Sequence, residues 1–188
     1  MKNNWIKYVA VATVLFVLPF SCTNDVSPES LFDTNFEAPK AVNLYTARSV
    51  PEGTEEKKPD KENTVEVSNS AKGIKAYNAK QYSEAIEYFS AYVDMVGTKN
   101  DDIQFYLGVS YLANNQLKKA EEVFTKLSKD GVRSRKSESD WYLVLTLLKS
   151  NQLDATQKNI AKILKKKKHP YYQKALSLQQ KIDKHLQK

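Results

Sequence analysis

The stretch Leu107–Phe124, LGVSYLANNQLKKAEEVF, decides the fold, because its pattern returns once upstream and once downstream. Gly73, Ala85 and Phe89 recur as Gly108, Ala120 and Phe124, each 35 residues later. At a spacing of 36, Asn115-Gln116-Leu117 returns as Asn151-Gln152-Leu153, Leu107 as Leu143, Leu112 as Leu148 and Phe124 as Ile160. A period of this size is that of one helical hairpin. Polar turns at Lys80-Gln81, Asn114-Asn115-Gln116 and Ser150-Asn151-Gln152 divide each copy into two helices.

Working outward, the apolar spacing predicts helices over 68–79, 83–96, 101–113, 117–129, 138–149 and 153–166, with a seventh over 171–186 carrying Ala175, Leu178, Ile182 and Leu186. Gly97 and Gly131 stand where second helices should end in a left-handed cap. Ser137 with Asp140 reads as a capping pair, Asp101-Asp102 suits the positive end of a helix, and Pro170 suits a first helical position. The run Trp141–Leu148, WYLVLTLL, reads as a buried strand on composition alone. The repeat phase equates it with Phe105–Leu112 and so makes it helix.

These units resemble tetratricopeptide repeats, whose signature runs W-x2-L-G-x2-Y, then A-x3-F, then P. The second copy carries Leu107-Gly108-x2-Tyr111 and Ala120-x3-Phe124, with Gln104 at the Trp position and Val132 at the Pro position. The first keeps Gly73 and Ala85-x3-Phe89, and the third has Val144, Leu147, Thr156 and Ile160 at the Gly, Tyr, Ala and Phe positions. The resemblance spans residues 68–166 and implies an all-α, tetratricopeptide-like α-α superhelix of about three hairpins, closed by a capping helix from about residue 170. It also implies that the first helix of each hairpin lines a concave groove. The partner-binding residues would then be Ile74, Tyr77, Phe105, Val109, Leu112, Trp141, Leu145 and Leu148, with Asn78, Asn114 and Lys149 the polar side chains near enough to hold a peptide. A stripe this apolar is either a binding groove or core.

The amino end is of another kind. Lys2 and Lys7 precede a nearly all-apolar run from Tyr8 to Phe20, too short to span a bilayer comfortably, with Cys22, the sole cysteine, directly behind it. This resembles the signal peptide of a bacterial lipoprotein, over residues 1–21, and implies lipidation at Cys22 and an exported protein anchored in the cell envelope, at the outer membrane or periplasmic face rather than in the cytoplasm. Residues 22–64 are polar and interrupted by Pro28, Pro39, Pro51 and Pro59, which predicts a flexible tether ahead of a repeat domain over 65–188. The segment Leu31–Tyr45 is less polar than a pure linker, and we expect it to dock across the groove until a partner displaces it.

The chain has 188 residues, 41% of them hydrophobic, and a net charge of +7. Between 149 and 188 eleven lysines face only Asp154 and Asp183, so the remainder nets −2. The run Lys165, Lys166, Lys167 and Lys168 is therefore a candidate anionic surface, set against the simpler role of cations at a helix carboxyl end. One cysteine excludes an internal disulfide. His169 and His185 are the only histidines, and neither belongs to a metal-helix or triad pattern; both are expected at the surface. No catalytic residues, metal, cofactor, small-molecule substrate or nucleic acid are expected. The expected function is non-catalytic protein-protein interaction, as an adaptor or assembly factor at the envelope. The alternative is a structural envelope subunit contacting anionic lipid or glycan through its basic carboxyl end.

Overall fold

A computed structural model of the chain describes residues 27–42, 61–97, 99–129 and 134–186. They form eight helices: α1 (Pro28–Asn35), α2 (Lys61–Asn78), α3 (Tyr82–Val96), α4 (Asp101–Ala113), α5 (Leu117–Lys129), α6 (Lys136–Lys149), α7 (Leu153–Leu164) and α8 (Tyr172–Leu186). From α2 to α8 each helix packs on the next, α4 also touches α2 and α6, and α1 folds back onto α6. All the elements are therefore helical and paired in sequence order.

The hairpin turns repeat in geometry as well as in sequence. Lys80, Asn115 and Asn151 all have left-handed backbones, with φ of 61°, 59° and 57°. At each turn the following glutamine amide bonds back five residues, Gln81 to Ala76, Gln116 to Tyr111 and Gln152 to Leu147, while the left-handed residue's amide bonds back three. This double bond satisfies carbonyls that a helix end would leave orphaned, and it reverses the chain within two residues. Asn tolerates that backbone better than Lys does, so the first turn carries more strain than the other two.

Helix pairs are drawn together by a glycine facing a ring. A Cβ on Gly73 would lie 2.5 Å from Phe89 Cδ1, and one on Gly108 would lie 2.8 Å from Phe124 Cε1. Both phenylalanines are completely buried. The third hairpin has Val144 and Ile160 at the equivalent places, both also fully buried. Where the small residue has grown, the large one has shrunk, so each pair fills the space between its helices in a different way.

Several boundaries differ from expectation. The supposed tether over 22–64 contains α1, because Ser27 accepts the amide of Ser30 at 3.2 Å and Pro28 occupies the first turn with Glu29. Residues that read as chain breakers form a helix start. Helix α2 begins at Lys61 instead of 68, since no proline or glycine interrupts the chain after Pro59 until Gly73. The pair Ser137 and Asp140 does not cap α6, whose first flanking residue is Arg135 with no side-chain cap. Asp101 and Asp102 do stand in the first turn of α4, as expected, and Asn100 ahead of them caps it, accepting the amides of Asp102 and Ile103 at 3.1 and 3.2 Å. Helix α7 ends at Leu164, and Pro170 stands two residues ahead of α8.

Candidate functional site

The first helices of the three hairpins, α2, α4 and α6, are neighbours, and residues 27–42 of the chain itself lie against α6 and the end of α2. Leu31 and Phe32 of α1 are each 3% exposed and belong to the same apolar cluster as the repeat core. Phe32 stacks on Phe36 at 4.9 Å, Phe36 meets Tyr142 edge-on at 6.4 Å, and the Lys149 ammonium lies 4.4 Å above the Phe32 ring. Beyond α1 the chain turns to an extended backbone at Phe36 and continues without regular structure to Val42, with Ala41 buried.

Two side chains hold this part by its backbone. The Tyr142 hydroxyl donates to the Glu37 carbonyl. The Asn78 side-chain amide engages Ala41 twice, accepting its N–H at 2.9 Å and donating to its carbonyl at 3.0 Å. An amide pairing with both backbone groups of one residue mimics a strand neighbour and takes no account of the bound side chain.

Beneath the segment lies an aromatic layer. Tyr77 is 5.2 Å from Tyr106, Phe105 is 5.2 Å from Tyr142, and Phe124 is 5.7 Å from Tyr142. Arg135 closes one side, its guanidinium 5.4 Å from the Phe105 ring and 5.5 Å from Tyr106. It also bonds to Asp102, Glu138 and the Tyr106 hydroxyl. Burial opposes the Arg135 charge, but the Asp102 bond, Tyr106 and Glu138 more than offset this and hold it above its ordinary pKa. Burial, followed by the neighbouring Tyr142, Tyr82 and Tyr106, raises the Tyr77 hydroxyl well above the ordinary tyrosine range. That hydroxyl is buried with no hydrogen-bond partner among the described residues. Burial likewise raises Tyr142, with Tyr171, Glu37 and Glu138 adding to it.

The residues expected to line a groove are thus buried: Ile74 at 5%, Tyr77 at 2%, Trp141 at 1%, and Phe105, Val109, Leu112, Leu145 and Leu148 at 0%. Tyr77 and Phe105 lie in the aromatic layer under the segment. Trp141 instead stacks on Tyr171 at 5.7 Å, toward α8. Of the polar side chains considered for holding a peptide, Asn78 and Lys149 touch the segment. Tyr142 and Arg135 escaped the sequence reading, although Tyr142 stands 36 residues after Tyr106 and so shares its phase. Cys22 lies outside the described residues.

Elsewhere, Lys165 and Lys166 line a cavity with Lys129, Lys136 and Lys162, while Lys166 and Lys168 border a second one; Lys167 is exposed. His169, expected at the surface, has a side chain only 4% exposed. Its Nδ1 accepts the Tyr171 amide at 3.2 Å, and its Nε2 lies 3.5 Å from Asp140. Among the described residues no three His, Cys, Asp or Glu side chains converge as a metal site would require.

Fold and site together define an all-α protein of sequentially packed helical pairs that carries a bound segment of its own chain. Residues 55–188 match the family described as Uncharacterised Treponema protein, and the chain belongs to that family. The match includes α2 to α8 and begins after the segment 27–42. No curated protein and no solved structure matches the chain.

Proposed function

We propose that this protein is a non-catalytic adaptor or assembly factor of the bacterial cell envelope, built as a tetratricopeptide-like superhelix and binding a partner peptide where residues 27–42 lie against α6 and the end of α2. In this reading residues 1–21 direct export, Cys22 carries the lipid, and residues 27–42 occupy the peptide site until a partner displaces them. One observation carries it: residues 27–42 of the chain itself are held there, with Leu31 and Phe32 buried and backbone bonds from Asn78 and Tyr142, as a partner peptide would be. The recurring left-handed turns and the glycine-ring pairs support the repeat assignment.

Chain lengths make displacement physically feasible. Ala41 is held at the carboxyl end of α2, whereas the chain re-enters at Lys61, at its amino end, a helix length of about 25 Å away. Residues 43–60 can span up to roughly 60 Å when extended, so undocking strains nothing.

The test uses the full chain with residues 28–42 deleted and a synthetic peptide of residues 27–42 added in trans. We expect the peptide to bind the deletion variant, to lose that binding on Phe32→Ala, and to bind the intact chain far more weakly. No binding to a deletion variant that still melts cooperatively would refute a peptide site. A deletion variant that does not fold would make 27–42 part of the core and refute it equally.

A further inference from the structure

We propose that the cavity between α5, α6 and α7 binds a phosphate-class anion, a site independent of the peptide face. Its volume, about 340 Å³, falls at the small end of the range for ligand pockets. Lys129 enters from the end of α5, Lys136 from the start of α6, and Lys162, Lys165 and Lys166 from the end of α7 and just beyond it. Thr125, Ser128 and Asn159 add neutral polar groups, and buried Leu143 forms an apolar wall.

Helix ends account for only part of this charge. Two carboxyl ends, those of α5 and α7, are worth about half a negative charge each. The Lys136 ammonium does bond to the Ser128 carbonyl at the first of them. Among the described residues Asp140 is the one carboxylate lining the cavity, and it already lies 3.7 Å from Lys136 and 3.5 Å from His169. Counting both helix ends and Asp140, about three of the five ammoniums remain unbalanced by the described residues. Lys129, Lys162, Lys165 and Lys166 have no carboxylate partner among the described residues, and Lys162 bonds only to the neutral Asn159, at 3.0 Å. Ammoniums gathered from three helices around a concavity, with hydroxyls between them, suit the several acceptor oxygens of a phosphate. A run of four lysines in sequence would not by itself build this geometry: it contributes Lys165 and Lys166, while Lys129, Lys136 and Lys162 are brought in by the fold.

A phosphate of this class belongs either to a lipid headgroup or to a free phosphorylated molecule, and lysine acylation footprinting separates the two. The full chain is reconstituted in nanodiscs of phosphatidylcholine alone, with or without inorganic pyrophosphate, and in nanodiscs of phosphatidylcholine and phosphatidylglycerol in equal parts. Pyrophosphate should slow acylation of Lys129, Lys162, Lys165 and Lys166 and leave Lys118 and Lys174 unchanged. Lys162→Gln should weaken that protection at the other three roughly tenfold, the scale for losing one charge-assisted hydrogen bond. The same pattern in the anionic nanodiscs without pyrophosphate identifies a headgroup site; protection by pyrophosphate alone identifies a free ligand. Uniform slowing at all exposed lysines, or no protection in either arm, overturns the proposal.

Discussion

Replacing Phe32 by alanine separates a displaceable segment from a piece of core. Phe32 is 3% exposed, stacked on Phe36 and covered by Lys149, so its removal should cost about 3–5 kcal/mol wherever the site cannot collapse. If residues 27–42 dock as their own cooperative unit, the whole penalty falls on docking and the segment comes off. Amide hydrogen exchange reads this directly, through the Phe36 N–H bonded to the Phe32 carbonyl at 2.8 Å and the Ala41 N–H bonded to Asn78. Protection of these two amides should fall at least about a hundredfold, since each tenfold corresponds to about 1.4 kcal/mol. The Gln104 and Gln116 amides, bonded at the two ends of α4, should stay within about twofold, as expected of a separate unit. Asn78→Ala should act on the same two sites more weakly, by about 1–3 kcal/mol for two hydrogen bonds. Equal loss of protection at Gln104 and Ala41 in Phe32→Ala would show that the segment opens only with the whole domain, and displacement would have to be abandoned.

Three further outcomes follow from the packing. Gly108→Ala would normally stabilise a helix by about 1 kcal/mol, but a Cβ placed 2.8 Å from Phe124 should reverse the sign to a net loss of about 1–2 kcal/mol in urea unfolding. Adding Phe124→Ile should recover part of that loss, as the Val144 and Ile160 pair does naturally, and strictly additive effects would refute the paired-volume account. Lys80→Asn should raise stability by about 0.5 kcal/mol, because the left-handed backbone at φ 61° costs Lys more than Asn, and no gain would mean that the turn carries no such strain. In alkali, Tyr77, Tyr82, Tyr142 and Tyr171 all hold their protons above the unfolded value, chiefly through burial. The unfolded chain therefore ionises first: stability is full below about pH 10 and declines as pH rises further, by up to about 1.4 kcal/mol per pH unit for each group. Tyr142→Phe should flatten that slope by one such step, followed as tyrosinate absorbance during unfolding; an unchanged slope would place Tyr142 in contact with water.

The repeat was legible because its markers are small, fixed and local. A glycine under a phenylalanine and an Asn-Gln pair at a turn recur at constant spacing, so helices α3, α4 and α5 could be placed almost to the residue. Helix α1 was not legible in that way, because Pro28 is a breaker inside a helix and an ordinary residue in its first turn, and only the Ser27 cap distinguishes the two cases. Leu31 and Phe32 signalled that the segment would dock, whereas Asn78 and Lys149 stood out only as side chains able to hold a partner's chain terminus. Their specific contacts were not legible, since Asn78 reaches across 37 residues to Ala41 and Tyr142 across 105 to Glu37. The cationic cavity was half visible. A run of lysines shows in a sequence, but the convergence of α5, α6 and α7 that joins Lys129 and Lys136 to it depends on which helix ends meet.

The way the segment is held constrains what replaces it. Asn78 and Tyr142 engage only backbone groups, so they fix the direction and register of an extended chain without selecting its side chains. Selection must come from the anchors, and on the adaptor reading a competing peptide needs two adjacent large apolar residues followed four places after the second by an aromatic one, as Leu31, Phe32 and Phe36 are arranged. It also needs a helical start, since Leu31 and Phe32 are carried by α1 and helical geometry brings Phe32 and Phe36 onto one side. A peptide of residues 27–42 with Ser27→Ala should therefore bind the deletion variant about fivefold more weakly, in line with about 1 kcal/mol for a lost cap. Undiminished binding would mean that the face selects an extended chain throughout and that α1 plays no part in recognition.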